Sequence, residues 1–209
     1  MYNFTVPMAL MDYVPVLFFG ITAVLLLRDL YNKMFKGAYA LLAAGSVNVF
    51  LAGFCKATWK LLYAANICDF VALEEMFMPV NSLGLLFVGL SLMGMIIWKR
   101  KSVMLSAAPV AFTSSMPFIM MMVLGLGGLC AGLSILAAKM KKAPAIILFV
   151  LSFVCAMAMG YMSSQDSTQS WVNWVEQSVN TVSQLCLMLG VIFLHKKGLK
   201  DWTWEGKAV

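Results

Sequence analysis

The chain has 209 residues, of which 62% are hydrophobic and only 11% are charged. Soluble domains carry about 25% charged residues, so this composition excludes a soluble globular protein. The net charge of +6 does not indicate a nucleic-acid partner, because 13 of the 15 Lys and Arg fall in four clusters. Such clusters are typical of the cytoplasmic ends of membrane spans, and the expected partner is therefore the lipid bilayer. The clusters are Arg28/Lys33/Lys36, Lys99/Arg100/Lys101, Lys139/Lys141/Lys142, and Lys196/Lys197/Lys200 with Lys207.

Six apolar runs are long enough to cross a membrane as helices. They are Val6 to Leu27, Gly37 to Tyr63, Phe70 to Trp98, Pro117 to Ala138, Pro144 to Met162, and Trp171 to Leu194. A shorter apolar segment, Ser102 to Met116, holds Pro109 and a polar turn. If it also crosses, all four basic clusters lie on one side, as the positive-inside rule requires. The sequence therefore predicts an all-α integral membrane protein with seven helices in the plasma membrane, its N-terminus outside and its C-terminus cytoplasmic.

A spacing repeat divides the chain into two similar halves. Glu75, Ser82, Leu86 and Gly89 recur 101 residues later as Glu176, Ser183, Leu187 and Gly190. We therefore predict two parallel three-helix repeats, residues 1–101 and 117–200, joined by a short linker helix at 102–116 and followed by a cytoplasmic tail at 201–209. Many carriers bind their substrate between such repeats.

This three-one-three layout is similar to that of SWEET-type sugar carriers, although neither first helix has their Pro-Gln motif. Microbial rhodopsins share a seven-helix layout, but residues 171–194 contain no lysine for a retinal Schiff base. Both resemblances concern the fold and imply little about function.

The candidate ligand contacts are polar residues within the apolar runs. The last run carries a stripe on one helical face, formed by Asn173, Glu176, Gln177, Asn180, Ser183 and Gln184. Such a stripe should face the bundle interior, where it either contacts a ligand or only holds helices together. Lys56 and Lys60 are the only cations on the other side, and Lys56 is expected to pair with Glu75 or Glu176. The alternative is that both lysines reach the lipid headgroups. The predicted ligand-binding residues are Lys56, Trp59, Glu75, Asn81, Glu176, Asn180 and Ser183.

The sequence predicts a carrier for a small polar or zwitterionic solute, bound in an outward-facing polar cavity. The alternative is a membrane sensor or a substrate-capturing subunit that does not transport alone, so a partner subunit or a homo-oligomer stays open. Motifs of hydrolases, zinc proteases and phosphate-binding loops are missing, which favours a non-enzyme. The five cysteines lack metal-ligand spacing and the 18 methionines are interpreted as packing residues, so neither a metal nor a cofactor is predicted.

Overall fold

A computed structural model describes residues 5–97, 116–162 and 170–202 of the chain. These residues form helices and their connections. The helices are α1 (Val6–Met11), α2 (Tyr13–Leu30), α3 (Lys36–Ala64), α4 (Val71–Glu75), α5 (Phe77–Ile97), α6 (Met116–Lys139), α7 (Ala143–Met162) and α8 (Ser170–Lys196).

Six helical stretches in the described part of the chain are long and apolar enough to cross a membrane. They are Val6–Leu30, Lys36–Ala64, Val71–Ile97, Met116–Lys139, Ala143–Met162 and Trp171–Lys196. The six apolar runs of the sequence are thereby confirmed as helices. The predicted linker helix at 102–116 lies outside the described residues, apart from Met116 at the start of α6.

Two of the six spans are broken near their first turns, and each break precedes a proline. The first span changes from α1 to α2 at Asp12, three residues before Pro15. The third changes from α4 to α5 at Met76, three residues before Pro79. A proline has no N–H for the carbonyl four residues earlier, and its ring crowds that carbonyl. The kink that Pro79 predicts is therefore present.

The long helices follow one another around the bundle in chain order. Contacts join α2 to α3, α3 to α5, α5 to α6, α6 to α7 and α7 to α8, and α2 packs on α8 to complete the circuit. The helices of each proposed repeat are thus neighbours, and the two groups meet at α5 with α6 and at α2 with α8.

The contact pairs fix the direction of each helix. Pairs advance together along α5 and α6, which are therefore parallel: Gly125 with Leu85, Gly128 with Gly89, and Gly132 with Leu92. α2 and α8 are parallel for the same reason, since Met11 meets Gln177 and Asp29 meets His195. α2 and α3 are antiparallel, because Gly20 meets Phe50 whereas Gly53 meets Val16. α7 and α8 are also antiparallel, because Gly190 meets Phe149 whereas Ser183 meets Ser152.

Small residues allow α5 and α6 to approach with their backbones almost in contact. A Cβ atom placed on Gly89 would lie 2.4 Å from the carbonyl oxygen of Gly125, and one on Gly128 would lie 3.0 Å from the Cα of Gly89. The Gly128–Gly132 spacing in the sequence is therefore part of a close helix contact, as small residues four apart often are in membranes.

These directions give the bundle two chemically different ends. The basic end is where α2, α5, α6 and α8 finish, and it holds the described members of the basic clusters at Arg28, Lys139 and Lys196. The opposite end holds Lys56, Lys60 and most of the described carboxylates, and we call it the acidic end. The carboxylates there are Asp12, Asp69, Glu74, Glu75 and Glu176.

Candidate ligand-binding site at the acidic end

The break in the first span links that span to α8. Pro15 lacks the N–H that would bond the carbonyl of Met11, four residues earlier. The side chain of Gln177 on α8 supplies a donor instead, with its Nε2 3.2 Å from Met11 O. Gln177 is buried, so this bond gives its side-chain amide a partner inside the protein. One member of the polar stripe therefore holds α8 against the start of α2.

Asp12 lies in the break and forms an ion pair with α3. Its Oδ2 is 2.6 Å from the ammonium of Lys60, and the two side chains are 8% and 15% exposed. A carboxylate inside an apolar span is costly unless it is paired, so this contact stabilises Asp12 in the bundle. Lys60 therefore pairs with a carboxylate rather than reaching only for the headgroups.

One oxygen of Asp12 remains unused. Oδ1 is buried and accepts no hydrogen bond from any residue that the structure describes. Buried polar atoms in proteins are nearly always hydrogen-bonded to protein, water or a ligand. Asp12 Oδ1 is thus an acceptor positioned for a donor from outside the chain.

Lys56 lies one helical turn before Lys60 and is partly buried. Its ammonium lies 4.2 Å from the centroid of the Phe77 ring, a cation–π contact. The neighbouring Lys60 repels its charge, whereas Glu176 on α8, Asp12 and Glu74 attract it. No carboxylate of the described residues lies within 4.0 Å of its Nζ. Lys56 is therefore a cation with several acidic neighbours and no direct ion pair.

The two aromatic residues of α3 at this end are held by the chain itself. Trp59 is buried, and its Nε1 donates to Asp69 Oδ1 over 2.9 Å, which ties the connection after α3 to the helix. The rings of Trp59 and Tyr63 lie 6.0 Å apart. Trp59 can form a wall beside Lys56, but its N–H is occupied.

The part of the polar stripe nearer the basic end holds α8 to α7. Ser183 is buried and donates to the carbonyl of Ser152 over 2.8 Å. This bond is the packing role left open by the sequence, and it occupies the hydroxyl proton that a ligand would need. Asn180 lies one turn nearer the acidic end and is partly exposed, as is Glu176. Gln184 Oε1 is buried and has no partner among the described residues.

Two predicted residues on the third span have different environments. Asn81 on α5 is buried, whereas Glu75 is exposed at the end of α4. The break at Met76 separates Glu75 from the helix that carries Asn81, and Glu74 is the α4 carboxylate whose charge acts on Lys56.

Asp12, Lys60 and Gln177 are the site residues that the sequence did not select as ligand contacts. A signal existed for Asp12, because it is the one carboxylate inside the first apolar run at its acidic end. Pro15 likewise indicated that the carbonyl of Met11 has no N–H partner four residues later. Neither signal names its partner, since the contact between Met11 and Gln177 joins residues 166 positions apart.

The chain matches no protein-family model, no curated protein and no solved structure.

Proposed function

We propose that this protein is a membrane carrier for a small zwitterionic solute that binds between Lys56 and Asp12 at the acidic end. The supporting observation is the pair of unused groups: a Lys56 ammonium without a direct ion pair and a buried Asp12 Oδ1 without a donor. A carboxylate on the solute would pair with Lys56, and an ammonium on the solute would donate to Asp12.

The charges at this end favour a solute that carries an ammonium group. Two cations, Lys56 and Lys60, face three carboxylates, Asp12, Glu74 and Glu176, so a solute with only a negative charge would be repelled. A zwitterion would provide both missing partners and add no net charge at a depth where unpaired charge is costly, with Asn180 at the edge of the site as a further hydrogen-bonding group.

The helix directions support a transport architecture of two parallel repeats. In both groups of three, the first and third helices run one way and the middle helix runs the other. Ser46 and Ser152 of the two middle helices are both buried, as are Ser82 and Ser183 of the two third helices. A site between such groups is the usual location for substrate in carriers.

The same directions support the proposal of seven crossings. α5 finishes at the basic end with Ile97, and α6 starts at the acidic end with Met116, about 31 Å away along the helix axis for a helix of this length. We propose that a further crossing, at residues 102–116, connects the two ends. The positive-inside rule then places the basic end in the cytoplasm and the N-terminus outside the plasma membrane.

A thermal-shift screen of the purified protein tests the binding step. The probes are the standard amino acids and glycine betaine, each compared with its amine-only and acid-only analogue. A zwitterion should raise the melting temperature, and Lys56→Met should weaken the effect. Glu75→Gln is the matched control, because Glu75 is exposed at the same end. If both variants respond as the wild type does, the assigned charge contacts are wrong.

A non-transporting binding protein is the second candidate, and one observation favours it. Towards the basic end α8 packs through Leu187, Val191 and Leu194, all fully buried, and the Phe149 ring fills the space at Gly190. This apolar region would have to open before a polar solute could leave. Uptake of the stabilising zwitterion into proteoliposomes supports the carrier, whereas binding without uptake supports a sensor or a substrate-capturing subunit.

A further inference from the structure

A cavity of about 410 Å³ lies at the basic end, far from Lys56 and Asp12. It forms where the end of α2, the turn after it, the first part of α3 and the segment after α8 meet. Its lining combines three cations and two carboxylates with two phenols and an amide. The residues are Leu27, Arg28, Asp29, Tyr31, Asn32, Lys33, Tyr39, Lys200 and Asp201.

Asp29 is occupied by protein groups and leaves the cations available. Its side chain is fully buried, and Oδ2 lies 2.7 Å from Nδ1 of His195 on α8. Arg28 approaches the other oxygen through Nε at 3.4 Å, and its Nη2 lies 2.6 Å and 3.1 Å from the two ring nitrogens of His195. An imidazole with its proton on Nδ1 donates to Asp29. Asp29 therefore orients Arg28 and His195 instead of repelling an anion.

Each of the three cations retains donors for a ligand. Lys33 donates to the carbonyl of Trp202, which occupies one of its three N–H groups. Lys200 is exposed and makes no hydrogen bond or ion pair with the described residues. Arg28 uses Nε and Nη2, which leaves Nη1. The cations come from three segments of the chain, so the donors converge on one space from different sides.

Lys33 also has a physical reason to attract an anion. Burial lowers the pKa of its ammonium, and the nearby charges of Asp201 and Asp29 only oppose that effect. A partly desolvated cation gains from a bound anion more than a fully hydrated one does. Tyr31 and Tyr39 pack edge to face beside it, with ring centroids 5.1 Å apart, and Tyr31 is exposed.

We propose that this cavity binds a phosphate group, held by Arg28, Lys33 and Lys200. The volume is large enough for a phosphate-bearing headgroup. Basic pockets between membrane helices at the cytoplasmic side commonly hold anionic headgroups, and a soluble phosphate offers the same oxygens. This site is independent of the proposed zwitterion site.

The test uses the full chain purified in detergent and three probes: short-chain phosphatidylglycerol, short-chain phosphatidylcholine, and inorganic phosphate. The expected result is a rise in melting temperature with phosphatidylglycerol, and a smaller rise or none with phosphatidylcholine. In the double variant Lys33→Gln/Lys200→Gln, the concentration for half of the effect should rise about tenfold or more, since two charged contacts are lost. Lys141→Gln is the matched control, because it removes the same charge at the basic end outside the cavity.

The outcomes separate the two sources of phosphate. Stabilisation by inorganic phosphate alone, lost in the double variant, assigns the site to a soluble phosphate; stabilisation only by phosphatidylglycerol assigns it to a lipid. Equal effects per removed charge in the cavity variant and in Lys141→Gln would indicate general charge attraction and overturn the proposal, and so would no stabilisation by either anionic probe. If the double variant does not fold, Lys200→Gln alone carries the comparison, because Lys200 is exposed.

Discussion

Replacing Gly125 by alanine should separate α5 from α6. A Cβ atom at this position would lie 2.3 Å from the carbonyl carbon of Leu85 and 2.4 Å from the amide nitrogen of Leu86. Both atoms belong to the backbone and cannot turn aside as a side chain can. Ordinary contact needs about 1 Å more, and overpacking of this kind costs roughly 1–3 kcal/mol, occasionally more. A clash with backbone atoms this close lies at the upper end of that range, and alanine regains about 1 kcal/mol of helix propensity, so the net loss should be about 2 kcal/mol.

Gly127→Ala is the matched control, on the same helix two residues away. Its new Cβ would lie 3.7 Å from the Phe153 ring, which is ordinary contact, so only the propensity gain of up to about 1 kcal/mol remains. For a chain of this size, 1 kcal/mol corresponds to about 2–4 °C in melting temperature. Thermal unfolding in detergent should therefore place Gly125→Ala about 6–12 °C below Gly127→Ala. Equal melting temperatures would mean that the two helices do not touch at Gly125, and the parallel arrangement would lose its main support.

Three further predictions concern single contacts. Removing one partner of the Asp12–Lys60 pair should destabilise the protein by about 3–5 kcal/mol, because it leaves a buried charge. The double variant Asp12→Asn/Lys60→Met should unfold at a higher temperature than either single variant. Additive losses of stability would contradict the pairing. Gln177→Leu should lower the free energy of unfolding by about 1–3 kcal/mol, because it leaves the carbonyl of Met11 without a donor. Pro15→Ala should offset much of that loss by restoring an N–H for this carbonyl. A double-mutant cycle measured by thermal unfolding that shows no coupling would refute this explanation. Burial lowers the pKa of Lys33, so phosphatidylglycerol binding should weaken as the pH rises through that lowered pKa. The Lys33→Arg variant should still bind phosphatidylglycerol at a higher pH than the wild type does. Identical pH profiles of the two proteins would exclude Lys33 from the site.

The membrane helices could be predicted from sequence because each depends on local composition. Apolar runs of about 20 residues leave few alternatives in a bilayer, where every backbone group has to be bonded internally. The ends shifted by only a few residues, as at Leu194, where α8 continues to Lys196. Proline kinks are also local, and the break before Pro79 was predictable for that reason.

The site was harder to predict because its contacts join distant segments. Lys56 was identified as a cation at an unusual depth, but periodicity alone does not say that Asp12 approaches the same turn of α3. Ser183 illustrates a second difficulty, because a buried hydroxyl at helical spacing can bond either a ligand or a neighbouring helix, and here it bonds Ser152. Glu75 was selected for its counterpart Glu176, yet the helix break leaves it exposed.

The central claim is that Lys56 holds the carboxylate of a zwitterion, and one comparison of affinities tests it directly. Isothermal titration would measure the dissociation constants of the most stabilising amino acid and of its decarboxylated amine, for the wild type and for Lys56→Met. A charged hydrogen bond contributes about 1.5–3 kcal/mol, so the wild type should prefer the amino acid about tenfold to a hundredfold. In Lys56→Met that preference should disappear, because the amine never used the lysine. A variant that keeps the full preference would show that the carboxylate binds elsewhere.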